Sequence, residues 1–436
     1  MTHRRRLIHL LAEFSLPLIL GVLAALAVAN AAPELYDRVV DGALPWLGER
    51  VRVHGHPLSL HFLVNDVFMV LFFGIAAKEI TESVLPGGPL NDPRKAVNPL
   101  LGMLGGVLAP IGVFFSVIAL AGRMDLRRGW GIPTATDIAL AWLVARLVFG
   151  RRHPAVNYLL LMAVGDDAVG LAIIAIFYPD PRFPVEPQWL GLVAAGMAIA
   201  WGLRRLAVRR WPIYVVLAGV PSWLGLLHAH LHPALALVFV VPFMPGPRHD
   251  LGLYEDVREE DGRLGVEGSA RVPAIDAADV HNPLFAFEHH LRVPVELGLF
   301  FFGFANAGVR VTDVGTATFA VLASLLLGKT LGITLCSWAA HRLGMPLPDG
   351  MRLRHLVVAA MIASIGLTVA LFVAAQAYPA GSTMLRNAKM GCLLSAGAAL
   401  PAWLLGRALR VREPAPGRAA GAPGGVQPDA ITAARG

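Results

Sequence analysis

The chain alternates long apolar stretches with short breaks that are rich in charged residues, proline and glycine. Most of the apolar stretches have the length that an α-helix needs to cross the hydrocarbon core of a bilayer, about 17–25 residues. The pattern predicts an all-α polytopic membrane protein with about 12 transmembrane helices, and an even number of spans places both termini on one side. The predicted spans are 13–31, 60–84, 97–121, 131–150, 155–178, 189–205, 212–227, 229–244, 284–309, 314–341, 353–375 and 384–406.

Composition agrees with this fold class. Hydrophobic residues make up 56% of the chain and charged residues only 15%, which excludes an ordinary soluble protein. The net charge of +7 does not indicate nucleic-acid binding, because the arginines lie in short loops between the apolar stretches. Lysine and arginine in such loops mark the cytoplasmic side, and most of them fall on the side of the termini. Both termini are therefore predicted to be cytoplasmic.

The breaks also predict the organisation of the chain along its length. A linker of mixed charge separates eight spans from four, and the last residues are rich in alanine, glycine and proline, which is typical of disorder. Alternating residues around a glycine predict a small external β-hairpin within 44–58, a candidate contact of a homodimer. The predicted units are a cytoplasmic N-terminus at 1–12, spans 1–8 at 13–245, a cytoplasmic linker at 246–283, spans 9–12 at 284–407 and a disordered cytoplasmic tail at 408–436.

Two adjacent aspartates, Asp166 and Asp167, lie in the span at 155–178, within a stretch at 159–178 that is otherwise apolar. An ionisable side chain at the depth of the bilayer centre costs about 2.5–3.5 kcal/mol on insertion scales, and two neighbouring carboxylates also repel each other. A membrane helix needs no acids to fold. The pair is therefore predicted to be a functional site.

Three further polar features lie inside predicted spans. Asp137 follows Thr136 in a span that Pro133 interrupts, and unwound backbone at this depth survives only where it is buried in protein or lines a cavity. A second span is interrupted by Ser, Gly and Thr at 364–368, and paired interruptions point to the midplane site of a transporter. Lys329 lies in mid-span and is a candidate partner for a buried acid. The alternatives are an interfacial Asp137 and a Lys329 that snorkels to the membrane surface.

These residues suggest a competition between ligands. A carboxylate in a cavity of low dielectric constant binds a small hard cation such as Na⁺ or Li⁺, and it equally accepts a proton. If the site can open to the other side of the membrane only when a cation or a proton is bound, competition between the two ligands produces exchange. Such a protein needs no cofactor besides the ions that it transports.

Four segments carry a family resemblance: GIPTATDIA at 131–139, GDD at 165–167, FANAGV at 304–309 and GKTLGI at 328–333. Together they resemble the NhaA family of Na⁺/H⁺ antiporters, over most of 10–407. The resemblance implies a bacterial inner-membrane transporter for sodium and pH homeostasis, with NhaA-like inverted repeats and two interrupted helices that cross beside the acid pair. It also implies electrogenic exchange of protons for Na⁺ or Li⁺.

The resemblance assigns roles to individual residues. Asp167 is the principal ligand of the cation and carrier of protons, and Asp166 is the second carboxylate, which pairs with Lys329 when no cation is bound. Thr136 lends a polar group to the cation, and Asp137 offsets the facing helix dipoles at the crossing.

One position departs from the family pattern. Ala76 stands where the family commonly carries an acid that is tied to pH activation. Glu288 and His289 retain part of the corresponding cytoplasmic group and are the candidate pH-response residues.

Three other functions fit parts of the sequence. A symporter of organic anions with the same fold would use the buried Lys329, although the acid doublet argues for a cation. An intramembrane aspartyl protease would use Asp166 in a Gly-Asp motif, but Ala163 stands where the first glycine of its signature belongs, and the second catalytic acid belongs on another helix. A scaffold without transport activity would need neither the acids nor the lysine.

Overall fold

The computed structural model of the chain describes residues 16–44, 52–53, 56–85, 90, 93–150, 153–179, 184–246, 257–260, 263–266 and 282–412. The predicted N-terminal segment at 1–12 and nearly all of the predicted tail lie outside the described residues, as does most of the predicted linker. The boundaries of these units therefore stay predictions. The described part of the chain is mostly helical.

The helices follow the apolar stretches of the sequence. Two 3₁₀ segments replace α-helix where proline breaks the pattern, at Met124–Thr134 and within Pro233–Phe243. The α-helical elements are α1 (Leu16–Ala31), α2 (Pro33–Val40), α3 (Leu60–Val84), α4 (Pro93–Leu120), α5 (Ile138–Phe149), α6 (Pro154–Phe177), α7 (Leu190–Arg205), α8 (Trp211–His228), α9 (Pro283–Asn306), α10 (Thr316–Arg342), α11 (Leu353–Ala363), α12 (Thr368–Ala377) and α13 (Thr383–Ala408).

Within the described residues, six helices are long and apolar enough to cross a membrane, namely α3, α4, α6, α8, α10 and α13. Two bent pairs bring the number to eight: the 3₁₀ segment Met124–Thr134 meets α5 at 57°, and α11 meets α12 at 48°. The chain is thus a helical membrane protein with interrupted spans at the two places that the sequence predicts. Twelve spans are not established by these helices.

Helix α6 is the most enclosed of the long helices. In its apolar window 72% of the residues are buried, against 33–44% in the other five. A helix that is apolar on every side can be surrounded by other helices rather than by lipid. The acid pair of the sequence therefore lies on the central helix of the fold.

Backbone contacts join the two interrupted spans directly. The amide of Asp137 donates to the carbonyl of Ile365 over 2.8 Å. Gly366 lies at the closest approach, because a Cβ there would come within 2.9 Å of Leu325 and 3.2 Å of the Ala135 carbonyl. Unwound backbone lacks the hydrogen bonds of a regular helix, and the contact between the two segments supplies part of them.

Two short antiparallel hairpins complete the described chain. Strands β1 (Arg52–Val53) and β2 (His56–Pro57) form the hairpin that the sequence predicts within 44–58. Strands β3 (Val257–Glu260) and β4 (Arg263–Val266) pair within the predicted linker.

Candidate cation-binding site

The two aspartates of α6 are both buried, Asp166 with 1% and Asp167 with 7% of its surface exposed. They follow each other on an α-helix, so their side chains leave the helix about 100° apart. The two carboxylates therefore meet different surroundings. This difference organises the site.

Asp166 is held by groups from two neighbouring elements. Nζ of Lys329 lies 2.9 Å from Oδ2 of Asp166, and both side chains are completely buried. The hydroxyl of Thr136 donates to the same oxygen over 2.7 Å. Lys329 also donates to the carbonyl of Thr134 over 2.7 Å, at the end of the 3₁₀ segment. One oxygen of Asp166 is thus neutralised by a cation and a hydroxyl, as expected for a buried charge.

Lys329 ends a π-helical turn of α10, Ser324–Lys329. Such turns insert one extra residue and rotate the following side chain relative to a regular helix. The helix continues as α-helix after this turn. The local widening of α10 therefore coincides with the residue that reaches the acid pair.

Asp137 joins the starts of two helices. Its Oδ1 accepts from the amide of Leu140 over 3.0 Å, which caps α5, and its Oδ2 accepts from the amide of Thr368 over 3.1 Å, at the start of α12. Helix N-termini carry unpaired N–H groups and a partial positive charge, and a carboxylate satisfies both. One buried acid thus stabilises the beginnings of both half-helices.

The opposite ends of the interrupted spans also have partners. The hydroxyl of Thr136 shares its one hydrogen between Asp166 and the carbonyl of Ala363, which lies 3.0 Å away at the end of α11. The hydroxyl of Ser395 on α13 accepts from the Gly366 amide over 3.1 Å. It shares its one hydrogen between the carbonyls of Cys392, at 2.6 Å, and Gly366, at 3.0 Å. These contacts supply the unwound backbone with the hydrogen bonds that a continuous helix would have made.

A cavity of about 150 Å³ lies beside Asp167, and we call it the Asp167 cavity. The crossing, where the two interrupted spans meet, supplies its polar floor. Helices α3 and α9 supply two of its walls. Besides Asp167, the lining includes Thr136, Asp137 and Thr368 at the crossing, Phe72, Ile75, Ala76 and Glu79 on α3, and Glu288, Arg292, Val295, Glu296 and Leu299 on α9. Asp166 is not among the lining residues.

Two carboxylate oxygens of the pair have no hydrogen-bond partner in the described part of the chain, Oδ1 of Asp166 and Oδ1 of Asp167. Buried oxygens without a partner are unfavourable, and a native protein that retains them has a reason to do so. No ion pair or hydrogen bond to Asp167 is found among the described residues either. Asp167 is therefore the carboxylate that the protein leaves available to a ligand.

The outer part of the cavity carries the candidate pH-response residues. Glu288 lines the cavity and forms an ion pair with Lys78, which also lies 2.6 Å from Glu82. His289 is exposed and stacks on Phe285, with ring centres 6.1 Å apart. The structure thus brings Glu288 to the cavity, whereas His289 lies on the outside of α9.

Comparisons with known proteins identify the family of the chain. A sequence model of the family described as Na⁺/H⁺ antiporter 1 matches residues 5–406. The chain is 52% identical over 408 residues to a protein named Na(+)/H(+) antiporter NhaA from Geobacter sulfurreducens, covering 94% of this chain and 99% of the relative. The chain belongs to the Na⁺/H⁺ antiporter 1 family.

Other relatives with the same name are more distant. The Desulfitobacterium hafniense DCB-2 protein is 50% identical over 414 residues, which cover 95% of this chain and 98% of the relative. The Jannaschia protein is 41% identical over 434 residues, at 92% and 97% coverage. Membership of an antiporter family confirms the resemblance that the sequence suggests, and it does not favour an anion symporter or an intramembrane protease.

Two acids of this family member were not singled out from its sequence. Glu79 and Glu296 both line the Asp167 cavity. A signal for Glu79 was present, because Phe72, Ile75, Ala76 and Glu79 follow the i, i+3, i+4, i+7 spacing of one helix face. The face that carries Ala76 thus carries an acid one turn later.

Proposed function

We propose that this chain exchanges cytoplasmic Na⁺ or Li⁺ for external protons at the pair Asp166 and Asp167. The observation that carries the proposal is the inequality of the pair. Lys329 neutralises Asp166, whereas Asp167 lines a cavity and has neither an ion pair nor a hydrogen bond among the described residues. Membership of the antiporter family supports Na⁺/H⁺ exchange as the reaction.

The chemistry of the site fits a small hard cation. Most of the polar side chains that line the cavity beside Asp167 carry carboxylate or hydroxyl oxygens, which are the ligands that such cations prefer. A cavity of about 150 Å³ holds a cation together with a few waters, at about 30 Å³ per water. Thr136 and Asp137 lie at its floor and complete the polar surroundings of the cation.

Charge explains why one ligand excludes the other. The ion pair of Asp166 and Lys329 is neutral as a unit, and Asp137 is offset by two helix N-termini. Asp167 then carries the charge that a ligand has to neutralise. Either a proton or Na⁺ neutralises this charge. The neutralised carboxylate can then be enclosed in a region of low dielectric constant at a lower free-energy cost than the charged one.

The exchange cycle requires the crossing to open alternately to each side. The interrupted spans are suited to this, because short backbone contacts such as Asp137 to Ile365 join them, rather than a continuous helix. Loading Asp167 changes the charge beside this crossing. A small movement of the half-helices then changes which side reaches the site.

The finer features of the proposal follow the family pattern. The chain has twelve spans with inverted repeats and both termini in the cytoplasm, and it lies in the bacterial inner membrane. Exchange of two protons for one Na⁺ moves net charge, and a potential of about 100 mV then contributes about 2.3 kcal/mol per charge.

Regulation and assembly are part of the same proposal. The cluster of Lys78, Glu82 and Glu288 ties α3 to α9 at the outer part of the cavity, and it is the place where pH would change transport. His289 contributes from the exposed side of α9. The hairpin of β1 and β2 supplies a contact between two copies.

Everted membrane vesicles test the proposal. Vesicles that contain the protein are acidified and loaded with an acid-trapped fluorescent dye, and addition of Na⁺ or Li⁺ is expected to restore fluorescence. Asp167→Asn is expected to abolish the response, whereas Asp349→Asn, a change of an exposed loop acid, is expected to leave it intact. Exchange that survives both Asp166→Asn and Asp167→Asn would contradict the site. A wild type that responds to neither ion would contradict the function.

A further inference from the structure

Glu79 is an acid of the Asp167 cavity to which neither the motifs of the family resemblance nor the mechanism above gives a role. It lies on α3, on the same face as Phe72, Ile75 and Ala76, and that face forms a wall of the cavity. Helix α3 packs against both α6 and α9. Glu79 therefore lines the space beside Asp167, where a cation would bind.

The charges around this space are mostly negative. Among the lining residues, five are acids, namely Glu79, Asp137, Asp167, Glu288 and Glu296, and Arg292 is basic. Two of the acids are paired with basic side chains: Glu288 with Lys78, and Glu296 with Arg292, whose Nε lies 3.4 Å from Oε1 of Glu296. Asp137 is bound to two backbone amides.

Glu79 and Asp167 line the same cavity. The other acid of the pair, Asp166, does not line it, and its charge is offset by Lys329 at 2.9 Å. A cation that binds Asp167 therefore feels the negative charge of Glu79 as well.

We propose that Glu79 is a cation-facing carboxylate of the Asp167 cavity and sets the affinity of the site for Na⁺ and Li⁺. This inference rests on the proposed function. Glu79 does not replace Asp167 as the ligand. Its charge concentrates cations in the cavity and stabilises the cation beside Asp167. The acid that is missing at Ala76 thereby has a counterpart one turn further along the same helix face.

The test measures the Michaelis constant for Na⁺ at alkaline pH, where protons compete least, in proteoliposomes of the full-length chain. Glu79→Gln is expected to raise KM on the order of tenfold, because the bound cation loses the attraction of one unit charge in the same cavity. The maximal rate at saturating Na⁺ is expected to stay within about twofold, because Asp167 still carries the ions. Glu79→Asp keeps the charge and is expected to restore most of the affinity.

The control variant is Asp349→Asn, which removes one exposed acid outside the cavity and is expected to leave KM unchanged. Stabilisation of the detergent-solubilised protein by Na⁺, measured as the shift of its unfolding temperature, gives a second readout of affinity that needs no transport. Glu79→Gln is expected to need a higher Na⁺ concentration for the same shift.

Three outcomes would overturn the assignment. The first is an unchanged KM and Na⁺ stabilisation in Glu79→Gln, and the second is an equal loss of affinity in Asp349→Asn. The third is a folded Glu79→Asp as impaired as Glu79→Gln, which would make Glu79 a purely structural residue. A wild type without Na⁺-dependent exchange would contradict the proposed function instead, and a Na⁺ stabilisation that Glu79→Gln weakens would still support Glu79 as a cation-facing residue.

Discussion

Asp166 and Asp167 have the same chemistry and adjacent positions, yet they belong to different regions of the molecule. In the region around Asp166, a lysine and a threonine bind one oxygen of the carboxylate, and the unwound backbone nearby is bonded to side chains. Only its second oxygen has no partner among the described residues. The region around Asp167 is a cavity with an acidic lining, where the carboxylate has no hydrogen-bond partner in the described chain.

This difference distinguishes the polar groups that stabilise the crossing of the interrupted spans from the polar groups that remain available to a ligand. Polar groups inside a membrane protein are expensive, so a group with partners is part of the fold, whereas a group without them is a candidate site. Changes on the Asp166 side should therefore lower stability. Changes on the Asp167 side should alter ion binding and leave stability nearly intact.

The largest effect on stability is expected from Lys329→Gln. This change leaves the carboxylate of Asp166 buried without its cation, and removal of one partner of a buried ion pair costs about 3–5 kcal/mol. The midpoint of thermal unfolding in detergent should fall markedly. The double variant Lys329→Gln with Asp166→Asn should recover much of the loss, because no uncompensated charge remains.

Asp167→Asn is the matched comparison for that experiment. It removes a buried charge that has no partner among the described residues, so its unfolding temperature should equal or exceed that of the wild type even though exchange is lost. If Asp167→Asn destabilised the protein as much as Lys329→Gln does, the two carboxylates would not differ in the way that the structure indicates.

A smaller loss is expected from Asp137→Ala, which removes the acceptor for the amides of Leu140 and Thr368. Loss of a helix cap typically costs about 0.5–2 kcal/mol, and here two helix starts share one cap. Asp137→Asn keeps an acceptor oxygen and should be less damaging in the same unfolding measurement. Equal losses in both variants would show that the charge, rather than the hydrogen bonds, stabilises the two helix starts.

The sequence predicts much of this arrangement because membrane burial makes polar residues conspicuous. An acid doublet in the span at 155–178 and a lysine in the middle of another apolar stretch require partners. The interruptions around Pro133 and at 364–368 are visible as breaks in hydrophobicity, and the structure has bent helix pairs at both places.

The other features of the site depend on contacts between residues that are distant in sequence, and no local sequence pattern predicts such contacts. Ser395 and the carbonyl of Ala363 complete the crossing from helices that are remote in sequence, and neither differs from an ordinary residue of a membrane helix. Glu79 lies near the end of its span, where an acid is unremarkable. Its position beside Asp167 becomes visible only when α3 is packed against α6.

Thr136→Val tests a residue at the border of the two regions. The variant loses a buried hydroxyl whose one hydrogen is shared between Asp166 and the carbonyl of Ala363, and the expected loss of stability is about 1–2 kcal/mol. Because Thr136 also lines the cavity, the KM for Na⁺ should rise as well. Thr136→Ser keeps the hydroxyl and should restore both properties. Recovery of only one of them would assign Thr136 to a single region.

The smallest effect is expected from Ser395→Ala, which acts on the crossing from α13. Its hydroxyl bonds both the amide and the carbonyl of Gly366, and their loss should cost about 1 kcal/mol in the unfolding measurement. Ser395 is not among the residues that line the Asp167 cavity, so the KM for Na⁺ should not change. A shift of KM without a loss of stability would show that the geometry of the crossing is transmitted to Asp167, and the two regions would then have to be treated as one.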